Sequence, residues 1–432
     1  MRRVATLLHR WAGLLIAGFL FISGVTGAVI SWDHELDELL NARLVDAPGV
    51  GAARPALELA RAVEARHPRM QVLSVPMAAE AGHSLDFYVE PRLDPASGAL
   101  YPAPYNQVFV DPVTGAELGT RNWGAAWPIT RETFVSFLYQ LHYTLHMPQM
   151  WGIDQWGVWL MGGIAMIWTL DSLVGFYLTL PRRRAPVPAQ ATEPAGPAPK
   201  SWWRRWRPAW LIRWSAGGAK RNFDLHRALS LWTWLLLLTI AFTAFSLNLY
   251  REVFFPLMSL VSNVTPSPFD LRAPNAPDRP IAPLIDYARV LAEAGPEGAR
   301  RGWREPVGNL SYSREYGIYS VAFHLPRDAQ GAGGVGPRQL YYDGRSGALL
   351  GERQPWKGTL ADIFVQAQFP LHSGRILGVP GRVLMSLMGL IVATLSVTGV
   401  LIWWRKRAAR AGVARRAVSS GAPPADRVNT AC

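Results

Sequence analysis

The stretch that decides the fold is "LLHRWAGLLIAGFLFISGVTG" (residues 7–27), in which a His-Arg pair opens a long apolar run. The apolar run covers residues 11–31, and about 20 such residues suffice for a helix to cross a hydrocarbon core of ~30 Å. Three further runs of this kind lie at 156–180, 229–249 and 384–404. The sequence therefore predicts a mainly α membrane protein with four transmembrane helices in a bundle.

Positive charge is concentrated beside these runs. The formal net charge is +13, and basic clusters such as "PRRR" (181–184) and "RKRAARAGVARR" (405–416) follow the second and fourth runs. Basic residues are retained on the cytoplasmic side during insertion, so this distribution predicts that both termini are cytoplasmic. The same distribution argues against nucleic-acid binding as the reason for the charge.

The four runs divide the chain into spans, two large outer loops and a connector. The predicted segments are transmembrane helices at 1–32, 151–181, 222–250 and 381–405, outer domains at 33–150 and 251–380, a connector at 182–221, and a cytoplasmic tail at 406–432. Each outer loop is predicted to be a small α+β domain. The predicted helices cover 55–67 and 281–294, and the predicted strands cover 71–77, 84–90, 106–112, 307–313, 317–325 and 338–344.

The connector has two parts of different composition. "APVPAQATEPAGPAPK" (185–200) is a Pro/Ala linker that cannot build a core. "SWWRRWRPAWLIRW" (201–214) alternates tryptophan with arginine and is typical of a segment lying on anionic lipid. A solvated basic loop is the alternative, but it fits poorly with five tryptophans.

Several stretches occur twice. "FVDPVTGAELG" (109–119) aligns without gaps with "YYDGRSGALLG" (341–351), and both predict a hairpin turn that begins with Asp and ends with Gly. "LLHRWAGLL" (7–15) corresponds to "DLHRALSLW" (224–232), and "LVGFYLTLPRRR" resembles "SVTGVLIWWRKR". The sequence therefore predicts an internal tandem duplication of span, outer domain and span.

The duplication groups four histidines into two pairs. His9 and His226 stand at the cytoplasmic starts of the first and third spans, while His142 and His372 lie just outside the second and fourth. Neutral imidazole is a suitable axial ligand for haem iron, and two facing helices can each supply one. Two pairs near opposite membrane faces would hold two haems. The only cysteine is Cys432, so any haem must be bound non-covalently.

His146 is a fifth candidate whose role is open. On a helix it would share a face with His142, so it is expected to compete for the same iron, to bond a haem propionate, or to bind a different metal. The glutamate of H-E-x-x-H is missing between the two histidines, which argues against a zinc protease.

Four arginines and one carboxylate within a predicted span complete the candidate site. Arg10 and Arg227 follow the inner histidines, and Arg375 and Arg382 follow the outer one. Arginine binds carboxylates in a bidentate manner, so all four are candidates for haem propionates, with membrane anchoring as the alternative for the first two. Asp171 lies within the second span, where it would tune the inner haem, relay protons or make a packing hydrogen bond.

Together these stretches resemble the PepSY-associated transmembrane proteins, a family of iron-regulated inner-membrane proteins that includes ferrisiderophore reductases. The resemblance rests on "LLHRWAGLLIAGFLFISGVTG", "LHYTLHMP" (141–148), "LDSLVGFYLTLP" (170–181), "DLHRALSLW", "FPLHSGRILGVPGR" (369–382) and "VTGVLIWWRKR" (397–407). It implies two PepSY-like periplasmic domains, at 33–150 and 251–380.

The resemblance also implies an activity: a di-haem b oxidoreductase of the bacterial inner membrane that reduces a ferric siderophore in the periplasm. No dinucleotide-binding or P-loop motif is present in the sequence, so a cytoplasmic reductase or a membrane quinol is expected to supply electrons. The alternatives are a membrane-anchored PepSY regulator of a peptidase and a siderophore-uptake component without electron transfer. Iron and copper chelates remain equally open as substrates.

Overall fold

The computed structural model describes residues 1–182 and 201–419. These residues form two compact units. The first contains Met1–Ala28, Val158–Asn248 and the chain from Met385 onward, and the second contains Val29–Gly157 and Leu249–Leu384. Residues 183–200 of the predicted linker and residues 420–432 of the predicted tail lie outside the described residues.

Helices form most of the first unit and also occur beside the sheet of the second unit. They are α1 (Arg2–Ile30), α2 (Asp33–Leu40), α3 (Ala42–Val45), α4 (Ala56–Arg66), α5 (Phe134–Thr144), α6 (Trp156–Thr179), α7 (Trp202–Trp206), α8 (Gly218–Trp232), α9 (Trp234–Asn248), α10 (Phe255–Val261), α11 (Tyr287–Arg300), α12 (Leu360–Ser373) and α13 (Val379–Ser419).

The second unit is built on one antiparallel sheet of eight strands in the order β4-β3-β2-β1-β5-β6-β7-β8. The strands are β1 (Met70–Pro76), β2 (Leu85–Pro91), β3 (Gln107–Val110), β4 (Glu117–Arg121), β5 (Val307–Ser313), β6 (Ile318–Phe323), β7 (Arg338–Asp343) and β8 (Leu349–Arg353). The first four come from one predicted outer domain and the last four from the other.

The two predicted outer domains share one hydrophobic core. Strand β1 pairs with β5 at the centre of the sheet, where Val75 lies opposite Leu310. Leu59 of α4 and Val290 of α11 belong to the same buried cluster as these two residues. This pairing leaves neither β1 nor β5 as an exposed edge, which explains why the halves form a single sheet.

Local sequence signals set the turns and one helix start. The Asp111 side chain accepts a backbone N–H from Val113, and Gly115 adopts a positive φ of 74°, so the predicted hairpin turn between β3 and β4 is confirmed. Helix α11 begins at Tyr287 rather than at the predicted residue 281. The Asp286 side chain caps it by accepting the Arg289 N–H, which sets the start of the helix.

Long apolar helices dominate the first unit. Within the described residues, three helices are long and apolar enough to cross a membrane: α1, α6 and α13. The pair α8 and α9 makes a fourth if it counts as one broken span. Helices α1 and α13 approach closely at two glycines, since a Cβ on Gly24 would lie 2.6 Å from the Gly389 carbonyl oxygen.

The third predicted span is bent. The sequence predicts one span over 229–249, whereas α8 and α9 meet at 72° across Thr233. The Thr233 hydroxyl donates to the Leu229 carbonyl at 2.8 Å, and such bonding to the preceding turn bends helices. The Trp234 indole N–H donates to the Ser172 carbonyl of α6 at 3.0 Å, which fixes the start of α9.

Candidate functional site

The inner histidine pair, His9 and His226, is assembled in the first unit. His9 lies on α1 and His226 on α8, before the bend. Their ring centres are 6.4 Å apart and their planes are inclined by 56°. The structure therefore brings together two histidines separated by more than 200 residues in the chain.

Hydrogen bonds determine which nitrogen of each inner imidazole is available. The Nδ1 atom of His9 lies 2.9 and 3.0 Å from the two Asp171 carboxylate oxygens, so it donates its proton there. The Thr398 hydroxyl donates to the Thr394 carbonyl at 2.8 Å, so its oxygen accepts from Nδ1 of His226 at 3.0 Å. In the neutral rings, Nε2 therefore carries the lone pair that binds a metal.

A glycine stands opposite each inner ring. A Cβ added to Gly175 of α6 would lie 3.3 Å from Cε1 of His9. A Cβ added to Gly399 of α13 would lie at the same distance from Cε1 of His226. Both distances are tighter than ordinary van der Waals contact, so each glycine leaves room for an imidazole against a helix backbone.

The outer histidine pair, His142 and His372, is assembled in the second unit. Their ring centres are 6.1 Å apart and their planes are inclined by 61°. His142 lies in the last turn of α5 and His372 in the last turn of α12. Each helix ends in a left-handed residue: Leu145 after α5, with φ 55°, and Gly374 after α12, with φ 74°.

The ring separation is the same in both pairs within a few tenths of an ångström. Two imidazoles that bind one metal ion from opposite sides, with bonds of about 2 Å, have ring centres about 6 Å apart. Within the described ranges, no group of three or more His, Cys, Asp or Glu side chains is arranged to hold a metal ion. Each pair alone therefore offers a metal ion two protein ligands among the described residues.

The family profile for the PepSY-associated TM region matches residues 6–406. The chain belongs to this family. No curated protein gives a significant match to the sequence. The match spans both histidine pairs of this PepSY-associated transmembrane protein, and it makes the chain a membrane protein.

His146 does not share a helix face with His142, so that expectation is wrong. Helix α5 ends at Thr144, and both Leu145 and His146 have positive φ, 55° and 52°. The His146 ring stacks on Phe137 with centres 4.6 Å apart, and its Nε2 donates to the Phe137 carbonyl at 2.9 Å. In this PepSY-associated protein, His146 therefore ties the following loop to α5.

The outer arginines bind protein carboxylates rather than facing an open site. Arg375 donates to Asp33 at 3.1 Å, and Arg382 donates to Glu35 at 2.7 Å. The Arg382 guanidinium also lies 4.4 Å from the centre of the Trp32 ring. Hydrogen bonding to Arg382 lowers the pKa of Glu35 to about 2. Both arginines thereby attach the end of α12 and the start of α13 to the segment that follows α1.

The inner arginines differ from each other. Arg227 donates to Asp224 at 3.1 Å and to the Pro208 carbonyl at 2.5 Å, so its guanidinium already has protein partners. Arg10 follows His9 on α1, and among the residues that the structure describes no acceptor meets its guanidinium. Of the four predicted propionate partners, Arg10 is thus the one whose whole guanidinium is without a protein partner among the described residues, whereas Arg227 keeps only its Nε donor.

Sequence reasoning overlooked Thr398 and the two glycines. All three lie in the repeated stretches "LVGF" (173–176) and "VTGV" (397–400), where Gly175 aligns with Gly399 and Val174 aligns with Thr398. The repetition of a glycine at corresponding positions of the two stretches was the available signal. Asp171 has no polar counterpart in the second repeat, since the aligned residue is Leu395.

Proposed function

We propose that the chain is a di-haem b oxidoreductase of the bacterial inner membrane that passes electrons from the cytoplasmic side to a ferric siderophore in the periplasm. The observation that carries the proposal is the presence of two histidine pairs with ring separations of 6.4 and 6.1 Å. Family membership supports a membrane protein with PepSY-associated helices. The proposed chemistry is argued from the histidine side chains.

The donor set fits haem b at both pairs. Each pair offers two imidazoles, and a macrocycle would supply the remaining ligands of an iron ion. Haem b bound at the pairs would supply one-electron transfer between the ferric and ferrous states. His9 and His226 would hold one group, and His142 and His372 the other. The sole cysteine, Cys432, allows no covalent attachment through a pair of thioethers.

Neighbouring residues hydrogen-bond the inner histidines and would tune them as ligands. Asp171 accepts the Nδ1 proton of His9, and its negative charge makes that imidazole a stronger electron donor than His226, whose partner is a neutral hydroxyl. Arg10 is the guanidinium that we assign to a propionate at the inner pair. The contact of Asp171 with His9 supports the tuning role, and the same hydrogen bond joins α6 to α1.

The direction of transfer follows from the predicted topology. The basic flanks favour cytoplasmic termini, and in that orientation the inner pair would receive electrons from a cytoplasmic reductase or a membrane quinol. The second unit, with its sheet and the outer pair, would lie in the periplasm and meet the chelate. Reduction releases iron because siderophores hold ferrous ions far less tightly than ferric ions.

The experiment is an oxidised-minus-reduced absorption spectrum of the purified protein, together with its haem content. We expect the spectrum of low-spin bis-histidine haem b and two haems per chain. Substituting one ligand of either pair is expected to remove one haem and leave the other. The variants are His9→Ala, His226→Ala, His142→Ala and His372→Ala. His324→Ala, at a partly exposed histidine of the second unit, is the matched control.

Two outcomes would contradict the proposal. If protein produced with ample haem shows no Soret band, it does not bind haem. That result would favour a PepSY regulator without electron transfer. If all four ligand variants retain two haems, the assignment of these histidines as haem ligands is wrong. The substrate is tested separately: dithionite-reduced protein should be reoxidised by a ferric siderophore, and a copper chelate tested in parallel distinguishes the two metals.

A further inference from the structure

The tryptophan–arginine segment, residues 201–214, forms a stacked aromatic layer on the first unit. The ring of Trp206 lies 5.1 Å from Trp202, 5.6 Å from Trp203 and 5.1 Å from Trp210, centre to centre. Trp206 is buried in a small cluster with Leu231 of α8. The segment is therefore a fixed part of the unit and does not belong to the linker that precedes it.

The same segment exposes large apolar side chains beside cations. Trp203 is 69% exposed and Trp214 is 67% exposed. Arg204 and Arg207, which flank the buried Trp206, are exposed as well. Indole rings combined with guanidinium groups are typical of segments at the boundary between lipid headgroups and acyl chains. A partner for this surface must offer both anionic and apolar groups.

The charge of this region is almost entirely positive. Residues 201–232 contain seven lysines and arginines and a single acidic residue, Asp224. Asp224 is fully buried and is bound by Arg213 at 2.6 Å and by Arg227 at 3.1 Å. The only carboxylate of the region is therefore neutralised internally, and the exposed charge is left for an external anion.

Two guanidinium groups keep an unsatisfied donor, that of Arg205 in the segment and that of Arg227 on α8. Arg205 donates through Nη1 to the Arg182 carbonyl at 3.0 Å, and Arg227 donates through Nη2 to the Pro208 carbonyl at 2.5 Å. The Nε atoms of Arg205 and Arg227 are both buried and meet no acceptor within the described part of the chain. Buried donors of this kind call for a bound partner, and a phosphate oxygen is the acceptor that guanidinium prefers.

We propose that the tryptophan–arginine segment binds the headgroup of an anionic phospholipid. Arg205 and Arg227 donate to its phosphate, the exposed arginines hold the remaining negative charge, and the exposed indoles lie among the upper acyl chains. A free phosphate ion would leave Trp203 and Trp214 exposed, so the apolar surface identifies the ligand as a lipid. The site does not depend on haem and stands apart from the proposed redox function.

The bound lipid would also restrain the inner histidine pair, because the segment is linked to α8, which carries His226. Arg213 of the segment and Arg227 of α8 share Asp224, which stands two residues before His226. A lipid that holds the segment thereby limits the motion of α8 against the membrane. We expect the melting temperature of the protein to be higher with phosphatidylglycerol than with phosphatidylcholine in the same detergent.

The test is native mass spectrometry of the delipidated full chain titrated with phosphatidylglycerol or phosphatidylcholine. We expect wild-type protein to retain phosphatidylglycerol preferentially. Arg205→Lys keeps the charge but removes the Nε donor, so retention should fall about tenfold, the worth of one charge-assisted hydrogen bond. Arg410→Lys, the same change at an exposed arginine of α13, should leave retention unchanged.

Equal retention of the two lipids by wild-type protein would overturn the proposal. An equal loss of phosphatidylglycerol retention in Arg205→Lys and Arg410→Lys would also overturn it, because retention would then not depend on the Nε donor of Arg205. If Arg205→Lys does not fold, Arg204→Gln/Arg207→Gln changes only exposed side chains and serves instead. It should weaken retention of phosphatidylglycerol and not of phosphatidylcholine, and an unchanged preference would equally overturn the proposal.

Discussion

The inner and outer histidine pairs have similar ring separations, 6.4 and 6.1 Å, but they are built from different kinds of structure. The inner rings lie against helix backbones at two glycines and bond to side chains of α6 and α13. The outer rings lie in the last turns of two helices that end in left-handed residues. The inner geometry therefore depends on helix packing, and the outer geometry depends on how two helices end.

The largest expected effect comes from filling the space opposite an inner ring. Gly175→Val places a branched side chain where even a Cβ lies 3.3 Å from His9. The imidazole must move, and overpacking of this kind costs about 1–3 kcal/mol. We expect the haem content to fall from two to one per chain, with the outer haem retained.

Gly163→Val is the matched control for this substitution. Gly163 lies on the same helix, α6, and a Cβ there meets nothing within 4 Å. We expect this variant to keep both haems. Full haem content in Gly175→Val would mean that packing against α6 does not position His9.

The second prediction separates the two inner ligands. Asp171→Asn keeps an acceptor for His9 but removes its charge, so we expect inner haem binding about 10–100-fold weaker and a higher reduction potential. Thr398→Val removes a neutral acceptor from His226 and should have a smaller effect in both measurements. Thr394→Val repeats that change one turn away on α13, where the hydroxyl bonds only to the Leu390 carbonyl. An effect of Thr398→Val equal to that of Asp171→Asn would contradict the carboxylate's role.

The pairing of the histidines can be predicted from the sequence, whereas the residues that contact them are harder to predict. Repeated His-Arg and Leu-His dipeptides were sufficient to match His9 with His226 and His142 with His372, because the duplication preserves position along the chain. His146 was misplaced because α5 ends at Leu145, a residue that adopts a left-handed conformation without the glycine or asparagine that usually marks it.

The joined sheet was also beyond sequence reasoning. Alternating apolar residues predicted six of the eight strands, since each strand is a local pattern. The pairing of Ser74 with Ser311, which joins the halves, connects residues more than 230 positions apart, and neither strand carries a local signal for its partner. The bend at Thr233 was missed for a similar reason, because threonine is common within helices that remain straight.

The third prediction concerns the helix end behind the outer pair. Gly374 has φ 74° and ψ −1°, a conformation that costs other residues about 1–2 kcal/mol. Gly374→Ala should lower the melting temperature by a few degrees and weaken the outer haem, with the inner haem unaffected. Gly18→Ala, inside α1 where an added Cβ meets nothing within 4 Å, is the control and should keep both haems without loss of stability. An unchanged outer haem in Gly374→Ala would mean that this cap does not position His372.

The smallest expected effect is the pH dependence of the ion pair at the start of α13. Arg382 lowers the pKa of Glu35 from its usual 4.5 to about 2, so the pair stabilises the fold fully above pH 4.5 and loses this effect as the pH falls towards 2. Glu35 is half exposed, so we expect less than about 1 kcal/mol. The melting temperatures of wild type and Glu35→Gln should converge on acidification. Glu58→Gln is the control, since Glu58 of α4 forms an exposed pair with Arg54, which precedes that helix. A constant difference between pH 7 and pH 3 would show that the carboxylate is not held by Arg382, and that α13 begins without this support for the outer pair.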